Sequence, residues 1–334
     1  MIELNKESIV YVLCPAYTKT GGPELLHQLV YKLNQFGINS YITYFDYDLL
    51  KSSDLTPKDF KKYIKEYKLI NDICDDTNNV VIFPETSLEL VDKFNNIRKG
   101  MWWLSVDNYI NKYEINDAIK IFGLKQVLIN ILKFRVKYKK DIYNFDYHLC
   151  QSQYAIDYLK KKHIKNGVYY LSDYINSVFF KKVKIRKIDN VLYNPKKGYK
   201  FTKKLIEKAP DINWIPIKGL TTDGVQKLLR ESKVYIDFGN HPGKDRFPRE
   251  AAMSGCCVIT GKNGSANNDI DVPIPKKYKY DRCNKNIDLI IDTIKHCTSN
   301  YNNSYMEFDK YREKILNEEL TFESDIKKIF VVRE

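Results

Sequence analysis

The segment from Lys233 to Thr260, KVYIDFGNHPGKDRFPREAAMSGCCVIT, constrains the fold of this chain more than any other. Val234–Phe238 alternates apolar and polar residues, which predicts a strand, and the turn-rich loop Gly239–Lys244 follows it. Gly255 is typical of a residue that ends a helix. The small apolar run Cys256–Ile259 then predicts a second strand, of the buried kind. A strand, a loop, a short helix and a buried strand in this order indicate an α/β fold.

The predicted helix inside this segment carries a carboxylate where ligands collect in such folds. Pro248 suits the first turn of a helix, so Glu250 is expected in that turn, at the carboxyl end of the preceding strand. Open α/β sheets bind ligands at this edge, and a carboxylate there can accept two hydrogen bonds from a ribose diol. The neighbouring cations Lys244, Arg246 and Arg249 suit a phosphate. A surface helix with ordinary solvated charges is the alternative.

The same alternation of strands and helices occurs in both halves of the chain. The N-terminal half begins with a predicted strand, Ile9–Cys14, a loop that contains Gly21 and Gly22, and a helix with apolar residues at helical spacing. The second half restarts with a strand at Asn190–Tyr193, a lysine-containing loop and a helix at Gly198–Lys208. Other strands are predicted at Asn39–Phe45, Val80–Phe83, Met101–Val106, Tyr147–Cys150 and Ile212–Pro216, and other helices at Gln153–Lys162, Gly224–Arg230, Asn286–His296 and Met306–Leu316. Two alternating halves indicate two Rossmann-like domains that face each other across a cleft.

Charge and cysteine content restrict the class of protein. The formal charge of +13 and the pI near 9.1 indicate an anionic partner. No helix-turn-helix, aromatic RNA-binding or zinc motif accompanies this charge, so we expect no nucleic-acid partner. The seven cysteines are odd in number and lack metal-binding spacing, which favours a reduced, cytoplasmic setting. Neither a signal peptide nor a spanning helix is expected.

The segment around Glu250 resembles the donor-nucleotide motif of glycosyltransferases with the GT-B fold, especially family 4, the group 1 transferases. Their pattern ends in a Glu, small residues, a Gly and an apolar strand, as in Glu250-Ala-Ala-Met-Ser-Gly255-Cys-Cys-Val-Ile. The family usually carries another Glu eight residues earlier, where this chain has Pro242. The run Asp146–Leu159 looks like the family's last N-domain strand and the helix after it, and Ser152 is predicted to cap that helix.

The resemblance extends over most of the chain and implies a GT-B domain organisation. A Rossmann-like acceptor-side domain is expected over residues 1–176 and a nucleotide-sugar-binding domain over residues 187–310, with a linker near Tyr174–Lys187. A C-terminal helix of GT-B proteins often crosses back onto the first domain. We expect residues 311–334 to do so here, through Phe322–Phe330.

The resemblance also implies an activity: transfer of a sugar from a nucleoside diphosphate donor to a surface polysaccharide or a lipid-linked glycan, with no metal or other cofactor. Sugar-nucleotide 2-epimerases share the fold, but Pro242 and the sparse histidines argue against that reaction. A non-catalytic GT-B-like nucleotide-binding subunit is the other alternative. Pro242 favours it, whereas Glu250 and the lysine loop count against it.

Loops at the ends of predicted strands supply the candidate donor-binding residues. The loop that precedes Gly198 resembles the basic loop of the family, and lysines there suit the diphosphate, although a loop lysine is ordinarily just solvated. Gly21-Gly22-Pro23-Glu24 is similar to the family's glycine-glycine-x-Glu start, where a ligand can approach the backbone at a helix N-terminus. The glycine-rich loop 261–266 could form an anion-binding nest. The expected donor-binding residues are Gly21, Gly22, Lys196, Lys197, Lys244, Arg249, Glu250, Gly264 and Ser265.

An inverting transferase also needs a base that takes the proton of the acceptor. Asp107 is the first candidate because it ends the aromatic run Trp102–Val106, which is predicted to be a strand. Glu85, which follows the strand Val80–Phe83, is the alternative. Either carboxylate could instead cap a turn. His241, one residue before Pro242, could contact the donor sugar.

The region Tyr109–Asp141 is basic and amphipathic. Asn130, Lys133 and Lys137 follow one helical stripe, and Ile121, Leu124, Leu128 and Leu132 follow another. A basic amphipathic helix can lie on an anionic membrane surface, which would suit a peripheral enzyme acting on a lipid-linked glycan. A helix packed against its own domain is the alternative.

Overall fold

A computed structural model of the chain describes residues 1–48, 50, 54–133, 135–137, 141–180 and 186–333. Its contacts divide the chain into two compact units. Unit 1 contains Met1–Asp173 and Leu320–Glu334, and unit 2 contains Tyr174–Glu319. The predicted linker near Tyr174–Lys187 lies partly outside the described residues, at 181–185.

The chain alternates strands with helices from end to end. The strands are β1 Ile2–Leu4, β2 Val10–Pro15, β3 Ser40–Phe45, β4 Tyr67–Leu69, β5 Val80–Pro84, β6 Arg98–Trp103, β7 Tyr147–Cys150, β8 Val168–Tyr170, β9 Ile188–Tyr193, β10 Asn213–Pro216, β11 Ser232–Asp237, β12 Cys257–Gly261, β13 Lys279–Tyr280 and β14 Phe330–Val332. The α-helices are α1 Gly21–Gln35, α2 Val106–Tyr113, α3 Ile115–Phe122, α4 Leu124–Leu132, α5 Gln153–Lys161, α6 Tyr199–Lys208, α7 Thr222–Glu231, α8 Arg246–Met253, α9 Ile287–Ser299, α10 Tyr301–Met306, α11 Asp309–Leu316 and α12 Glu318–Ile329. Short 3₁₀ helices lie at Lys58–Tyr63, Ile70–Asp72, Leu88–Lys93, Ser177–Phe180, Gly264–Asn267, Lys276–Tyr278 and Asn284–Asn286.

Unit 1 is built on a seven-stranded parallel sheet with the order β4-β3-β2-β5-β6-β7-β8. The chain moves outward from β2 through β3 to β4 and then continues on the other side of β2 with β5. The order therefore reverses between β2 and β5, which is the Rossmann arrangement. Trp102 and Trp103 of β6 are fully buried. The ring of Phe322 stacks on Trp102 with 6.2 Å between centroids, and β14 pairs in parallel with β1.

Unit 2 is built on a five-stranded parallel sheet with the order β10-β9-β11-β12-β13. Its order reverses between β9 and β11, as in flavodoxin-like sheets. The strand β12 is buried along its whole length, as expected of a central parallel strand covered on both faces. No helix among the described residues is both long and apolar enough to cross a lipid bilayer.

Most predicted elements are confirmed to within one or two residues at their ends. The predicted cap is confirmed as well, because Ser152 Oγ accepts a hydrogen bond from Ala155 N at 3.2 Å at the start of α5. The prediction of a strand through Val106 is wrong: β6 ends at Trp103. Ser105 Oγ accepts from Asn108 N at 3.3 Å and starts α2.

The prediction of one helix over Met306–Leu316 is also wrong. The structure has two helices, α10 and α11, separated at Glu307 and Phe308. Arg312 Nη2 donates to the Tyr305 carbonyl at 2.7 Å and satisfies a backbone acceptor at the end of α10. Phe308 is completely buried at the break, so the chain turns there to place this ring in the core of unit 2.

Two glycines with the same backbone conformation provide a test of the packing in unit 2. Gly198 and Gly219 have φ of +65° and +69°. A Cβ on Gly198 would lie 2.2 Å from the Phe238 carbonyl oxygen, whereas among the described residues no heavy atom lies within 4 Å of a Cβ on Gly219. We expect Gly219→Ala to lower the free energy of unfolding by about 1 kcal/mol, the cost of a left-handed alanine. Gly198→Ala should lower it by on the order of 3 kcal/mol or more, since backbone must also move. Urea unfolding followed by circular dichroism measures both, and equal losses would contradict this packing.

Candidate functional site

The carboxyl edge of the unit 2 sheet brings together two loops at the point where the strand order reverses. The loop after β9 contains Lys196 and Lys197, and the loop after β11 runs over residues 238–245. The loops touch at glycines: Gly198 lies against the Phe238 carbonyl, and a Cβ on Gly239 would lie 2.7 Å from Lys197 Cβ. Doubly wound sheets bind ligands in the crevice at this reversal, so the position of these loops matches the sequence-based expectation.

The two predicted phosphate lysines have different surroundings. Lys196 is exposed, and its backbone N–H donates to Asn194 Oδ1 at 2.9 Å. Lys197 is half-buried, and its Nζ lies 2.9 Å from Asp245 Oδ2. The ammonium of Lys197 therefore holds the neighbouring loop, while that of Lys196 extends into solvent. Contact of either lysine with a diphosphate stays a prediction.

Glu250 lies one turn further into its helix than expected. The helix α8 begins at Arg246 rather than near Pro248, so Glu250 is in the second turn. Its side chain is partly exposed. Gly255, with φ of +90°, follows the end of α8 as predicted.

The cations Lys244 and Arg249 are buried in a charge cluster. Lys244 Nζ lies 2.9 Å from Glu318 Oε1, and Arg249 Nη1 lies 2.7 Å from Glu318 Oε2. Arg249 also donates to the backbone carbonyls of Lys244 and Asp245 at 2.9 and 3.2 Å. With the arginine 1% exposed, this guanidinium is directed at the protein, and its function is to fix the loop before α8. Contact of these two residues with a phosphate stays a prediction.

This cluster predicts a large stability effect of Glu318. Glu318→Gln leaves Lys244 and Arg249 buried without their carboxylate, and removing one partner of a buried ion pair costs about 3–5 kcal/mol. Glu313 is exposed on the preceding helix α11, so Glu313→Gln should change stability by only about 0.5 kcal/mol or less. Chemical denaturation of both variants checks the difference. A Glu318→Gln variant as stable as the control would contradict the buried cluster.

His241 is fully buried between two carboxylates, and its contact with a donor sugar stays a prediction. Its Nδ1 lies 3.2 Å from Asp245 Oδ2, and its Nε2 lies 3.6 Å from Asp237 Oδ1. Burial alone lowers the pKa of His241, but Asp237 and Asp245 outweigh it and raise that pKa above its ordinary value. Asp237 is itself held by Tyr235 Oη and Gly239 N, both at 2.9 Å. The imidazole therefore lies between the carboxylate at the end of β11 and the carboxylate at the start of α8, and both carboxylates favour its protonated form.

The same three side chains are the group in the described residues that could hold a metal ion. The ligand atoms of Asp237, His241 and Asp245 lie within 4.8 Å of one another. The Lys197 ammonium beside Asp245 supplies a positive charge already, which opposes a second cation. Sequence reasoning missed both aspartates, although their regular spacing of four residues around His241 was a usable signal.

The glycine-rich loop after β12 holds the loop before α8. Ser265 N donates to the His241 carbonyl at 2.9 Å, and Ser265 Oγ donates to the Gly243 carbonyl at 2.5 Å. Gly264 has φ of +59°, and a Cβ there would lie 2.0 Å from the His241 carbonyl oxygen. Gly264 and Ser265 therefore support the neighbouring loop, and the binding of an anion by this loop stays a prediction.

In unit 1 the strand order reverses between β2 and β5, and predicted site residues follow both strands. After β2, the helix α1 begins at Gly21, and the Thr20 side chain makes no capping hydrogen bond to it within the described residues. A Cβ on Gly22 would meet only Leu104 Cδ1, at 3.6 Å, which is an ordinary contact. Packing within unit 1 therefore does not require glycine at this position.

After β5, Glu85 is buried with its carboxyl against the chain that leaves β6. Leu104 N donates to Glu85 Oε2 at 3.1 Å. Burial raises the pKa of Glu85 to about 8, although the backbone N–H groups of Leu104 and Ser105 favour the ionised form. The carboxyl group therefore carries a proton at neutral pH and loses it in mild alkali.

We expected Asp107 to end a strand. It lies instead in the first turn of α2. It is 3% exposed, and Tyr154 Oη donates to its Oδ1 at 2.8 Å. This hydrogen bond joins α2 to α5. Glu85 is as buried as Asp107, since each is 3% exposed, and a role of either carboxyl in proton transfer stays a prediction.

The raised pKa of Glu85 predicts how stability varies with pH. A carboxyl whose folded pKa lies above its unfolded pKa contributes stability that is complete below the unfolded pKa and is lost as the pH rises through about 8. Glu85→Gln imitates the protonated form at every pH. We expect the variant to match the native chain near pH 5 and to be more stable near pH 9, by on the order of a few kcal/mol. Denaturation at both pH values checks this, and the same difference at each pH would contradict it.

Comparisons with known proteins identify the fold of this chain. No protein-family model matches the chain, and no curated protein sequence matches it. Solved structures do match. Sucrose-phosphate synthase from Thermosynechococcus elongatus is 10% identical with a TM-score of 0.63, over 97% of this chain and 98% of that chain. HepE from Anabaena, in complex with UDP-glucose, is 9% identical with a TM-score of 0.60, over 96% and 98%.

The chain has the GT-B fold. A structure of S. aureus TarM with UDP also matches, at 15% identity and a TM-score of 0.50, over 76% of this chain. The chain spans 57% of the length of that TarM. At these identities the likeness establishes the fold and not the reaction.

Proposed function

We propose that this protein is a glycosyltransferase that moves a sugar from a nucleoside diphosphate to a glycan of a surface polysaccharide or glycolipid. The observation that carries the proposal is the position of Glu250. It is a partly exposed carboxylate on the helix that follows β11, in a GT-B chain, at the reversal of the unit 2 strand order. Ligands of doubly wound sheets bind at that reversal.

The proposed donor contacts follow from charge. Glu250 accepts hydrogen bonds from the two ribose hydroxyls, which fixes the nucleoside. Lys196, exposed on the neighbouring loop, interacts with the diphosphate, where negative charge develops as the sugar leaves. The buried network of His241, Lys244 and Arg249 holds the loops and does not contact the donor. With a lysine at the leaving group, the proposed reaction requires no metal.

Unit 1 carries candidate groups of its own at the reversal of its strand order. The N-terminus of α1 offers backbone N–H donors to an anion. Gly22 has no side chain, so a ligand can approach the backbone closely there. Packing does not require glycine at this position, which leaves ligand approach as its proposed role. Glu85 is the proposed proton acceptor. A carboxyl with a pKa of about 8 is a weak acid and a correspondingly strong base once ionised, so it suits removal of a proton from a hydroxyl.

The ligands bound in the matching structures indicate which donor to test first. HepE was solved with UDP and with UDP-glucose, and TarM was solved with UDP and α-GlcNAc-glycerol. Uridine diphosphate is therefore the first nucleotide to offer this chain.

Binding of UDP to variants of unit 2 tests the proposed site. Glu250→Ala should weaken UDP binding by about 10- to 100-fold, because hydrogen bonds to a charged group contribute about 1.5–3 kcal/mol. Lys196→Ala should weaken it by a smaller factor, since an exposed charge is screened. Lys200 is an exposed lysine in α6, and Lys200→Ala is the matched control with unchanged affinity. Isothermal titration calorimetry measures all three.

Near-native affinity of Glu250→Ala would overturn the placement of the site. A non-catalytic nucleotide-binding subunit is the second candidate, because Pro242 stands where the resembling transferases carry a Glu. Binding of UDP without release of UDP from UDP-sugars, with or without acceptor glycans, would identify that function.

A further inference from the structure

The helix α4 presents its most apolar face outward. Leu124, Leu128, Ile131 and Leu132 are 58, 50, 41 and 78% exposed. Their spacing of four, three and one residues places them on one stripe of the helix. The helix α4 does pack against unit 1, as in the sequence-based alternative, but through Val127 and Asn130 and not through this leucine stripe.

The inward face of the same helix is partly polar. Asn130 is buried at 2% exposure, and its Nδ2 donates to Asn111 Oδ1 at 2.7 Å. Gln126 Nε2 donates to Asn130 Oδ1 at 3.2 Å. Val127 is the buried apolar residue of the helix. An ordinary surface helix places its leucines inside and its amides outside, and α4 has the inverse pattern.

Cations lie next to the outward stripe in the sequence. Residues 123–137 include Lys125, Lys133, Arg135 and Lys137 and no acidic residue. All four are exposed, and Phe134 and residues 138–140 lie outside the described part of the chain. The surface thus combines an apolar stripe with neighbouring residues that are all positively charged. We call these residues, Leu124, Lys125, Leu128, Ile131, Leu132, Lys133, Arg135 and Lys137, the α4 surface.

We propose that the α4 surface docks onto the surface of an anionic lipid bilayer. Helices that lie in the membrane interface combine a leucine-rich face with flanking lysine and arginine, and each cation near an anionic bilayer surface adds attraction. A second copy of this chain is a poorer occupant. A twofold interface places the same patch against itself, so the four cations would face four cations with no carboxylate between them.

Docking at a bilayer brings unit 1 to where a lipid-linked acceptor would lie. The α4 surface itself is inferred from its own exposure and charge and does not depend on the proposed transferase activity. Vesicle binding therefore can succeed or fail independently of nucleotide binding.

Vesicle co-sedimentation of the full chain tests the proposal. We expect binding to vesicles of phosphatidylcholine mixed with phosphatidylglycerol, and much weaker binding to phosphatidylcholine alone. Leu128→Ser combined with Leu132→Ser should lower the partition coefficient about a hundredfold, tenfold for each leucine, or ~1.4 kcal/mol each. Raising the salt from about 0.1 M to about 0.5 M should also weaken binding, because it screens the cations.

A matched variant controls for the loss of leucines as such. Leu289 and Leu316 of unit 2 are 55 and 51% exposed, and Leu289→Ser with Leu316→Ser should bind vesicles like the native chain. Since all four leucines are exposed, both double variants should fold, as circular dichroism can verify. Equal loss in both variants, or no binding of the native chain to anionic vesicles, would overturn the proposal. So would a dimer in sedimentation velocity that Leu128→Ser with Leu132→Ser dissolves while vesicles remain unbound.

Discussion

The arrangement of the unit 2 site depends on one buried carboxylate. Glu318 lies between Lys244 and Arg249, with both cations within 2.9 Å of its oxygens. Charged groups removed from water must be paired, so the loop before α8 can reach its position only when Glu318 is in place. Arg249 also donates hydrogen bonds to the carbonyls of Lys244 and Asp245, and so fixes the loop before α8. The next residue, Glu250, keeps its side chain partly exposed on a helix whose N-terminal end is held by these buried contacts.

Three further contacts hold the same loop from other directions. His241 lies between Asp237 and Asp245, Ser265 binds the carbonyls of His241 and Gly243, and Lys197 binds Asp245. The charged residues of this loop therefore serve mainly to position it. In the proposed site, the donor contacts the residues that remain at the surface. Because the loop that carries them is already fixed, these residues lose little conformational freedom when the donor binds.

The fold could be predicted from the sequence to a large extent, because it follows from local patterns. Alternating runs such as Val234–Phe238 and buried runs such as Cys256–Ile259 mark strands in any context, and glycines such as Gly255 mark helix ends. For the candidate site, the sequence could predict only which loops lie at the carboxyl ends of the strands. Which side of a helix is buried depends on partners distant in the chain, and Glu318 lies 69 residues beyond Arg249. Positive charge next to Glu250 therefore indicated phosphate contacts for Arg249 and Lys244, whereas tertiary packing pairs them with a carboxylate. The apolar stripe of α4 was visible in the sequence for the same local reason, but its outward direction was not.

A crystal structure of the chain with UDP would test the central claim most directly. The account predicts that the nucleotide lies at the reversal between β9 and β11, with its ribose hydroxyls within hydrogen-bonding distance of the Glu250 carboxylate and its diphosphate beside Lys196. It also predicts that Lys244 and Arg249 still bind Glu318 and do not contact the phosphates. A nucleotide bound elsewhere, or bound by Lys244 and Arg249 after release from Glu318, would contradict the account.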